Sequence, residues 1–461
     1  MSARIKCREC MKKQEEIYRL KEQVKSLKAK LRYQDRQISE GYFGSSTPSS
    51  KKPFKGSRKT EEKAKNRGGA KPGHKGNGRQ RIEQKDADRI EAVKAGGSCP
   101  QCGGQEFEYL GERERAVIEY SIKAEKVIYR LERKRCQRCK QVFQAKAPGV
   151  LPKNLYSNNL LSHVAVEHYL NGIPLGHLER GTGVGIGVLI KAMQKLAGML
   201  KDIPDRLVED YRRAKVKHGD ETGWRNDGQN GYAWLFTSRD TSIFRFRKSR
   251  SAKIAQDVFG EEALPGVLVV DRYGGYNKAP CKIQYCYAHL LRHVQDLEKE
   301  FPDNREIKTF IQACAPLLAE AMNLRSLPIT DKAFYKKAAK TKEEIIKIMN
   351  SEANHPGIQN IQNIFRDKQH RLYHWADDRE VAADNNFAER ELRRLVVARK
   401  ISFGSHSDEG LKTREILMSV LKTLKLRRKG DTRSALTNFL DELAIDPNID
   451  IYQSLFTDKT K

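Results

Sequence analysis

The sequence predicts an α/β core with an α-helical insertion, preceded by an N-terminal coiled coil, a basic linker, a zinc ribbon and a small helical module. Three observations support this fold class: strand signals in residues 214–286, helical periodicity across most of the remaining chain, and paired cysteines towards the N-terminus. A chain of 461 residues is long enough for two or three domains, at least one with a full hydrophobic core.

The charge of the chain favours a polyanionic partner. Lysines and arginines number 88 against 59 aspartates and glutamates, which gives a formal net charge of +29. An excess of this size is typical of proteins that bind phosphate backbones, so double-stranded DNA is the first partner to expect. The first residues form no apolar signal core, and no window approaches the roughly 18 apolar residues of a membrane span. We therefore expect a soluble, cytoplasmic protein.

Residues 1–40 predict a coiled coil that joins two chains. Apolar residues recur every seven positions at Cys10, Ile17, Val24, Leu31 and Ile38, and Leu20 and Leu27 fall on the alternate seam position. We expect a homodimer through residues 10–38; the alternative is one amphipathic helix packed on its own chain. In a parallel dimer, Cys7 and Cys10 of both chains could bind zinc, although unengaged thiols are the simpler explanation.

Residues 41–90 predict a basic, flexible linker. Between residues 51 and 81, twelve lysines and arginines stand against two glutamates, with few large apolar residues from which to build a core. The glycines would let the backbone approach DNA phosphates while basic side chains enter a groove. The residues expected to contact DNA are Lys71, His74, Lys75 and Arg79. A passive tether is the alternative interpretation.

Residues 91–150 predict a zinc ribbon. Cys99, Cys102, Cys136 and Cys139 form two Cys-x-x-Cys pairs, separated by strand-like runs at about residues 116–122 and 127–133. In a reducing compartment such pairs favour a tetrahedral, structural zinc site over disulfides. A redox-active Cys-x-x-Cys pair is the remaining alternative.

Residues 151–205 predict a small helical module. Two helical segments, at residues 157–170 and 184–200, are separated by glycine-rich turns. This spacing suits a helix-turn-helix-like DNA-binding module, and it suits a packing collar for the next domain equally well.

Residues 206–300 predict the first part of the core. Strand signals occur at about 214–219, 232–238 and 243–247, followed by a helix at 252–259, strands at 266–270 and 282–286, and a helix at 290–301. Three meandering strands, a helix and two further strands is the order of an RNase H-like fold. In that fold the first and fourth strands are neighbours, which would set Asp220 beside Asp271.

Two aspartates placed in this way suit metal-dependent phosphodiester chemistry. Two Mg²⁺ ions about 4 Å apart can activate a nucleophile and stabilise the leaving oxygen, and such hard cations prefer carboxylates. Glu389 lies on a predicted helix and would complete the set; the other acidic candidates are Asp384, Glu391 and Glu221. Each aspartate taken singly could instead be an ordinary turn or cap residue.

Residues 301–380 predict an α-helical insertion, with helices at 305–324 and 332–349. Residues 381–461 then hold the glutamate-bearing helix and the C-terminal helices of the core, one of them at 432–444. Cys286 and His289 have ligand-like spacing, but a single pair favours a core thiol and a packed histidine over zinc.

Motifs between residues 67 and 404 together resemble the IS66 family of bacterial transposases, a group of DDE recombinases. The motifs are Arg67-Gly-Gly-Ala-Lys-Pro-Gly-His-Lys-Gly76, the two cysteine pairs of residues 99–139, Gly219-Asp-Glu-Thr-Gly-Trp224, Val270-Asp-Arg-Tyr-Gly-Gly-Tyr276, Cys286-Tyr-Ala-His289, and Asp384-Asn-Asn-Phe-Ala-Glu-Arg390 through Arg399-Lys-Ile-Ser-Phe-Gly404.

The resemblance implies a function and a site. Asp220, Asp271 and Glu389 would be the catalytic triad, with Mg²⁺ or Mn²⁺ as cofactor and the terminal inverted repeats of an insertion sequence as substrate, in a nucleoid-associated bacterial protein. The residues expected to contact phosphates near the triad are Arg390, Arg394, Arg399 and Lys400. Accessory proteins of the same element are further expected partners. The alternatives are a nuclease or resolvase on the same fold, and a DNA-binding protein without catalysis.

Overall fold

The computed structural model describes residues 127–135, 142–144, 146–428 and 430–456, together with nine helical positions between Lys13 and Lys28. Several predicted sites lie outside the described residues. They are the linker positions Lys71, His74, Lys75 and Arg79, the ribbon cysteines Cys99, Cys102, Cys136 and Cys139, and the N-terminal Cys7 and Cys10.

The described positions of the N-terminal region agree in part with the predictions. Ile17, Leu20 and Val24 belong to the helical stretch and are about half exposed. Strands β1 (Arg133–Arg135) and β2 (Val142–Gln144) pair antiparallel on either side of the second Cys-x-x-Cys sequence. Residues 127–132 are not a strand, so the run predicted at 127–133 is confirmed only at its last residue. Pairing of two chains and zinc binding stay predictions.

The helical module and the segment that leads from it into the sheet have two more helices than the sequence predicts. Their helices are α1 (Asn158–Ala165), continued by a π-helical turn (Val166–Leu170), α2 (Leu175–Thr182), α3 (Ile186–Met199) and α4 (Ile203–Arg213). Helix α2 was not predicted, because Gly176 and Gly181 suggested a turn. It ends at Gly183, whose φ of 68° is a left-handed conformation that glycine adopts without strain, and α3 begins three residues later.

A five-stranded mixed sheet follows. Its strands are β3 (Val216–Gly223), β4 (Tyr232–Ser238), β5 (Ser242–Arg247), β6 (Val267–Val270) and β7 (Lys282–Tyr285), and α5 (Ala252–Phe259) connects β5 to β6. The spatial order is β5-β4-β3-β6-β7, with β3, β4 and β5 antiparallel and β3, β6 and β7 parallel. All four residues of β6 are buried, as expected for a central parallel strand. The prediction that the first and fourth strands are neighbours is confirmed.

Helices fill the segment between β7 and the C-terminal part of the core. They are α6 (Tyr287–Glu300), α7 (Arg305–Leu324), α8 (Asp331–Met349), α9 (Pro356–Asp367) and the short α10 (His374–Asp377). Asn304 and Thr330 cap α7 and α8 by accepting backbone N–H groups of the first turn. The two helices predicted in the insertion are confirmed, and α9 and α10 are additional.

Four helices complete the described chain: α11 (Asn386–Ser402), α12 (Asp408–Arg427), α13 (Thr432–Ile445) and α14 (Ile451–Phe456). Helix α12 runs along the outer edge of β5. Its side chains Glu415, Ser419 and Thr423 accept the outward-facing backbone N–H groups of Phe246, Phe244 and Ser242 at 2.8, 2.9 and 3.0 Å. The contacts repeat because the rise along the axis over four helical residues is close to the rise over two strand residues.

The helical module packs on these C-terminal helices. Asn158 donates to Asp441 at 2.7 Å, and the guanidinium of Arg414 on α12 lies 2.9 Å from Nε2 of His168. Buried residues of the module and of the sheet belong to one continuous hydrophobic core. This packing is what the collar interpretation expects, and DNA binding by the module stays a prediction. Among the described residues, no helix combines the length and apolar character needed to cross a membrane.

Candidate active site

Asp220 in β3 lies level with Asp271, the residue that directly follows the adjacent parallel strand β6. In the β3–β6 pair, His218 lies opposite Val269, and Asp220 and Asp271 each come two residues later. Strand β3 was predicted to end at residue 219, which is wrong, because it continues to Gly223 while paired with β4. Asp220 therefore projects from within a strand, which restrains it more tightly than a turn would.

The carboxylate of Asp220 lies in a strongly anionic setting. Burial raises its pKa well above the ordinary value of 3.8, and the neighbouring charges of Glu221, Asp271 and Glu389 raise the pKa further. Its Oδ1 accepts one backbone hydrogen bond, from the N–H of Glu221 at 2.9 Å, which acts in the opposite direction. The Asp271 carboxylate accepts the N–H of Tyr273 at 2.9 Å, and this bond orients it at the start of its loop.

Asn385 ties the helix that carries Glu389 to the strand that carries Asp220. Its buried side chain donates to the carbonyl of Gly219 at 2.8 Å, and its Oδ1 lies 2.9 Å from Nδ1 of His218. It precedes α11, and its carbonyl accepts the N–H of Glu389 at 3.2 Å. These bonds set the first turn of α11 against the residues that flank Asp220. The structure thus brings Asp220, Asp271 and Glu389 together at one end of the sheet.

The Glu389 carboxylate has cationic and polar neighbours on α6. Its Oε1 lies 3.3 Å from Nη2 of Arg292 and 4.0 Å from Nδ1 of His289. The side chains of Glu389 and Arg292 are 31% and 45% exposed, so solvent weakens this ion pair and the arginine can move away from it.

Glu221 is a fourth carboxylate, which the sequence suggested only as a substitute for Glu389. Its side chain is 2% exposed, forms an ion pair with Arg250, and accepts the hydroxyl of Tyr276 at 2.6 Å. Burial and the charge of Asp271 raise its pKa, while Tyr276 and Arg250 lower it. Tyr276 lies in the loop after Asp271, so Glu221 anchors that loop to β3.

Gly219 makes room for the Tyr276 ring. A Cβ atom at Gly219 would lie 2.9 Å from Cε1 of this ring, closer than side chains tolerate. The glycine that precedes Asp220 is therefore explained by the close approach of the loop that follows Asp271.

We expect Tyr276→Phe to lower the free energy of unfolding by about 1.5–3 kcal/mol at neutral pH, the usual contribution of a hydrogen bond to a charged group. The reason is that the buried Glu221 carboxylate loses one of its donors. Urea unfolding measures the difference, with Tyr335→Phe as the control because Tyr335 is 42% exposed. Equal stability of the Tyr276 variant and wild type would contradict the anchoring role.

The predicted phosphate-contacting residues of α11 divide into two groups. Arg390, Arg394 and Lys400 are exposed. Arg399 is only 9% exposed, and its guanidinium donates to the Thr222 hydroxyl at 3.1 Å and to the Gly223 carbonyl. Burial of Arg399 against β3 is evidence against the expected phosphate contact and indicates a structural role in fixing α11 to the sheet.

Cys286 and His289 also lie beside Glu389. The Cys286 side chain is fully buried, as the core-thiol interpretation expects, and its Sγ accepts the N–H of Asn385 at 3.1 Å. Ligand atoms of Cys286, His289 and Glu389 all lie within 4.8 Å of one another. The sequence showed the spacing of the first two residues but not that a glutamate 100 positions later joins them.

The fold and the site define an α/β protein with an acidic centre formed within β3, at the end of the adjacent parallel strand β6 and at the start of a later helix. Residues 153–413, more than half of the chain, match the model of the family described as transposase IS66 family. The chain belongs to the IS66 transposase family. The match includes all five strands of the sheet and helices α1 to α11, whereas residues 1–152 lie outside it.

Similar proteins occur in Sinorhizobium fredii. The uncharacterized protein y4qI is 24% identical over 383 residues, which cover 74% of this chain and 70% of that protein. The uncharacterized protein y4hP is 22% identical over 408 residues, 78% of this chain and 72% of its own length. A third, y4jD, is 23% identical over 343 residues, and there the chain spans 64% of the relative's length.

Proposed function

We propose that this protein is a DDE transposase with an RNase H-like core. It binds the terminal inverted repeats of its insertion sequence, hydrolyses the DNA to free a 3′ end, and joins that end to target DNA. Asp220, Asp271 and Glu389 are the catalytic residues. The observation that carries the proposal is that Asp220 on β3 lies level with Asp271, the first residue after the adjacent parallel strand β6, while Asn385 holds the glutamate-bearing helix against β3.

The residues of the site suit Mg²⁺ or Mn²⁺. Carboxylate oxygens are the ligands that these hard cations prefer, and the like charges that raise the pKa of Asp220 are charges that a divalent cation neutralises. When bound, a pair of such ions supplies an activated nucleophile and stabilises the leaving oxygen. Asp220, Asp271 and Glu389 would hold them.

The protein residues contribute alignment. The Tyr273 amide orients Asp271, and Asn385 fixes the start of α11. Because an in-line displacement requires the attacking and leaving oxygens to be collinear, small shifts of these carboxylates cost rate steeply. Arg390 and Arg394 are neighbours one turn apart on α11, and we assign these two arginines and Lys400, all of which are exposed, to phosphate contacts close to the site.

The regions N-terminal to the helical module complete the proposal. Residues 10–38 join two chains, so that one dimer holds both ends of the element. The linker residues Lys71, His74, Lys75 and Arg79 bind DNA beside the repeat, and Cys99, Cys102, Cys136 and Cys139 hold a structural Zn²⁺. Accessory proteins of the same element are further candidate partners.

Strand transfer by the purified full-length protein tests the proposal. With labelled duplexes that carry the element's ends and with Mg²⁺, we expect wild type to form joined products. Asp271→Asn should reduce joining about a thousandfold or more while end binding survives, because the amide keeps the shape of the carboxylate but not its charge. Binding without cleavage or joining by wild type would contradict the proposal and favour a DNA-binding protein without catalysis. Cleavage without joining would favour a nuclease.

A further inference from the structure

Two helix starts converge beside the acidic centre and bring three metal-ligating side chains together. Cys286 and His289 belong to the start of α6, and Glu389 lies in the first turn of α11. Among the described residues, these three side chains are the one group of three or more histidine, cysteine or acidic side chains whose ligand atoms all lie within 4.8 Å of one another. Ligands of one metal ion lie about this close or closer.

The sulfur of Cys286 is surrounded by hydrogen-bond donors. The N–H of Asn385 lies 3.1 Å from it, and the backbone N–H groups of Ala288 and His289 also donate to it. These amides are placed to stabilise the sulfur of a metal-bound cysteine. Backbone amides around a metal-bound thiolate are common supports of metal sites.

His289 supplies the second ligand. Its Nδ1 is buried and has no hydrogen-bond partner among the described residues, and it lies 4.0 Å from Oε1 of Glu389. A buried ring nitrogen without a partner carries a desolvation cost that a bound ion would remove. The side chains of His289 and Glu389 are about one-third exposed, which leaves an approach from solvent for an ion and for a further ligand.

We propose that Cys286, His289 and Glu389 bind one divalent transition-metal ion of the kind that accepts thiolate, with Zn²⁺ as the representative. A thiolate, an imidazole and a carboxylate make a borderline-soft ligand set that suits Zn²⁺ and leaves a fourth position open, whereas Mg²⁺ takes oxygen ligands. Binding releases the thiol proton to solvent. Arg292 lies 3.3 and 3.5 Å from the two oxygens of Glu389, and its exposed side chain can shift to leave one of them to the ion.

This site goes beyond the proposed function. It differs from the predicted zinc ribbon in position and in ligands, and it does not require strand transfer to exist. Glu389 belongs to both ligand sets, so Zn²⁺ at this site competes for the Glu389 carboxylate with the Mg²⁺ or Mn²⁺ ions proposed for Asp220, Asp271 and Glu389.

Metal stoichiometry of the full-length protein tests the site without DNA. The protein is stripped with a chelator, equilibrated with Zn²⁺ and separated from free ion, and bound zinc per chain is measured by mass spectrometry. We expect Cys286→Ser to bind about one zinc fewer than wild type. Cys281→Ala is the matched control, because Cys281 is a half-buried thiol outside the cluster, and should keep the wild-type number. The ribbon cysteines contribute equally to all three proteins.

A second variant and a spectroscopic signature keep the test decisive. His289→Gln changes a partly exposed side chain, so it addresses the site even if loss of the buried thiol prevents folding. With Co²⁺ in place of Zn²⁺, the thiolate-to-cobalt absorption per chain should be larger in wild type than in Cys286→Ser. Equal zinc stoichiometry of wild type and the folded variants would overturn the proposal, and the strand-transfer result would be unaffected.

Discussion

Asp220→Asn is expected to abolish DNA strand transfer and, in the same variant, to make the metal-free protein more stable. Loss of a carboxylate that holds the catalytic ions removes about 4 kcal/mol or more of transition-state stabilisation, which corresponds to a thousandfold or larger loss of rate. Stability moves in the opposite direction, because the asparagine removes a charge that burial and three neighbouring carboxylates disfavour. We expect the free energy of unfolding to rise by about 1–2 kcal/mol, which is the usual gain when a destabilising group at a functional site is replaced.

The stability difference should depend on pH. The folded chain holds the Asp220 proton more tightly than the unfolded chain, because its pKa is raised above the ordinary 3.8. The contribution of Asp220 to stability is therefore fully present below pH 3.8 and is lost as pH rises through the raised folded pKa. Asp220→Asn has no such group, so its advantage over wild type should grow between about pH 4 and neutral pH.

Urea unfolding in chelator across this pH range measures the difference. Asp303→Asn is the control, because Asp303 is an exposed aspartate away from the acidic centre. Mg²⁺ should stabilise wild type more than Asp220→Asn, because ligand binding to the folded state raises stability. If the two variants show the same pH dependence, the like charges around Asp220 do not destabilise the folded chain.

Asn385→Ala is expected to lower both activity and stability. The substitution leaves two buried groups without their partner, the Gly219 carbonyl and Nδ1 of His218, at a cost of about 2–4 kcal/mol in the free energy of unfolding. The first turn of α11 also loses its attachment to β3. A displacement of Glu389 by about 1 Å would reduce the rate of strand transfer by about a hundredfold.

The same substitution at the next residue is the control that separates the role of Asn385 from a general loss of stability at this helix start. Asn386→Ala changes a neighbouring, half-buried asparagine of the same helix start and should lose much less of both quantities. Strand transfer is measured at saturating DNA and well below the midpoint of thermal unfolding of either variant. A folded Asn385→Ala protein with the wild-type rate would show that Asn385 does not position Glu389.

The order of the sheet could be predicted from the sequence because its signals are local. The continuous apolar runs of β4 and β6 are typical of buried strands, and the apolar residues of α5, between β5 and β6, recur with the spacing of a helix. The C-terminal half of β3 could not be predicted in this way. Residues 220–223 are polar or glycine, and they are held as a strand by pairing with β4, as in the register of Glu221 opposite Trp234.

The candidate site was predictable only in its carboxylates. Asp220 and Asp271 follow from strand order, but the role of Asn385 depends on contacts with residues that lie 166 and 167 positions earlier in the chain. The burial of Arg399 has the same origin, because its partners lie on β3. The sequence shows where basic residues lie along a helix, whereas only the packed structure shows which of their side chains are exposed to solvent and free to contact DNA.

The hydrogen bonds from the β5 backbone to side chains of α12 have a consequence for synthesis of the protein. An unpaired outer strand is a template on which a second copy of the same segment can pair, and here it is covered by side chains that follow it by as many as 181 residues. At about 5–20 residues per second, roughly 10–35 s separate the emergence of β5 from that of its cover. Nascent or truncated chains that lack α12 therefore expose a sheet edge on which neighbouring nascent chains can aggregate.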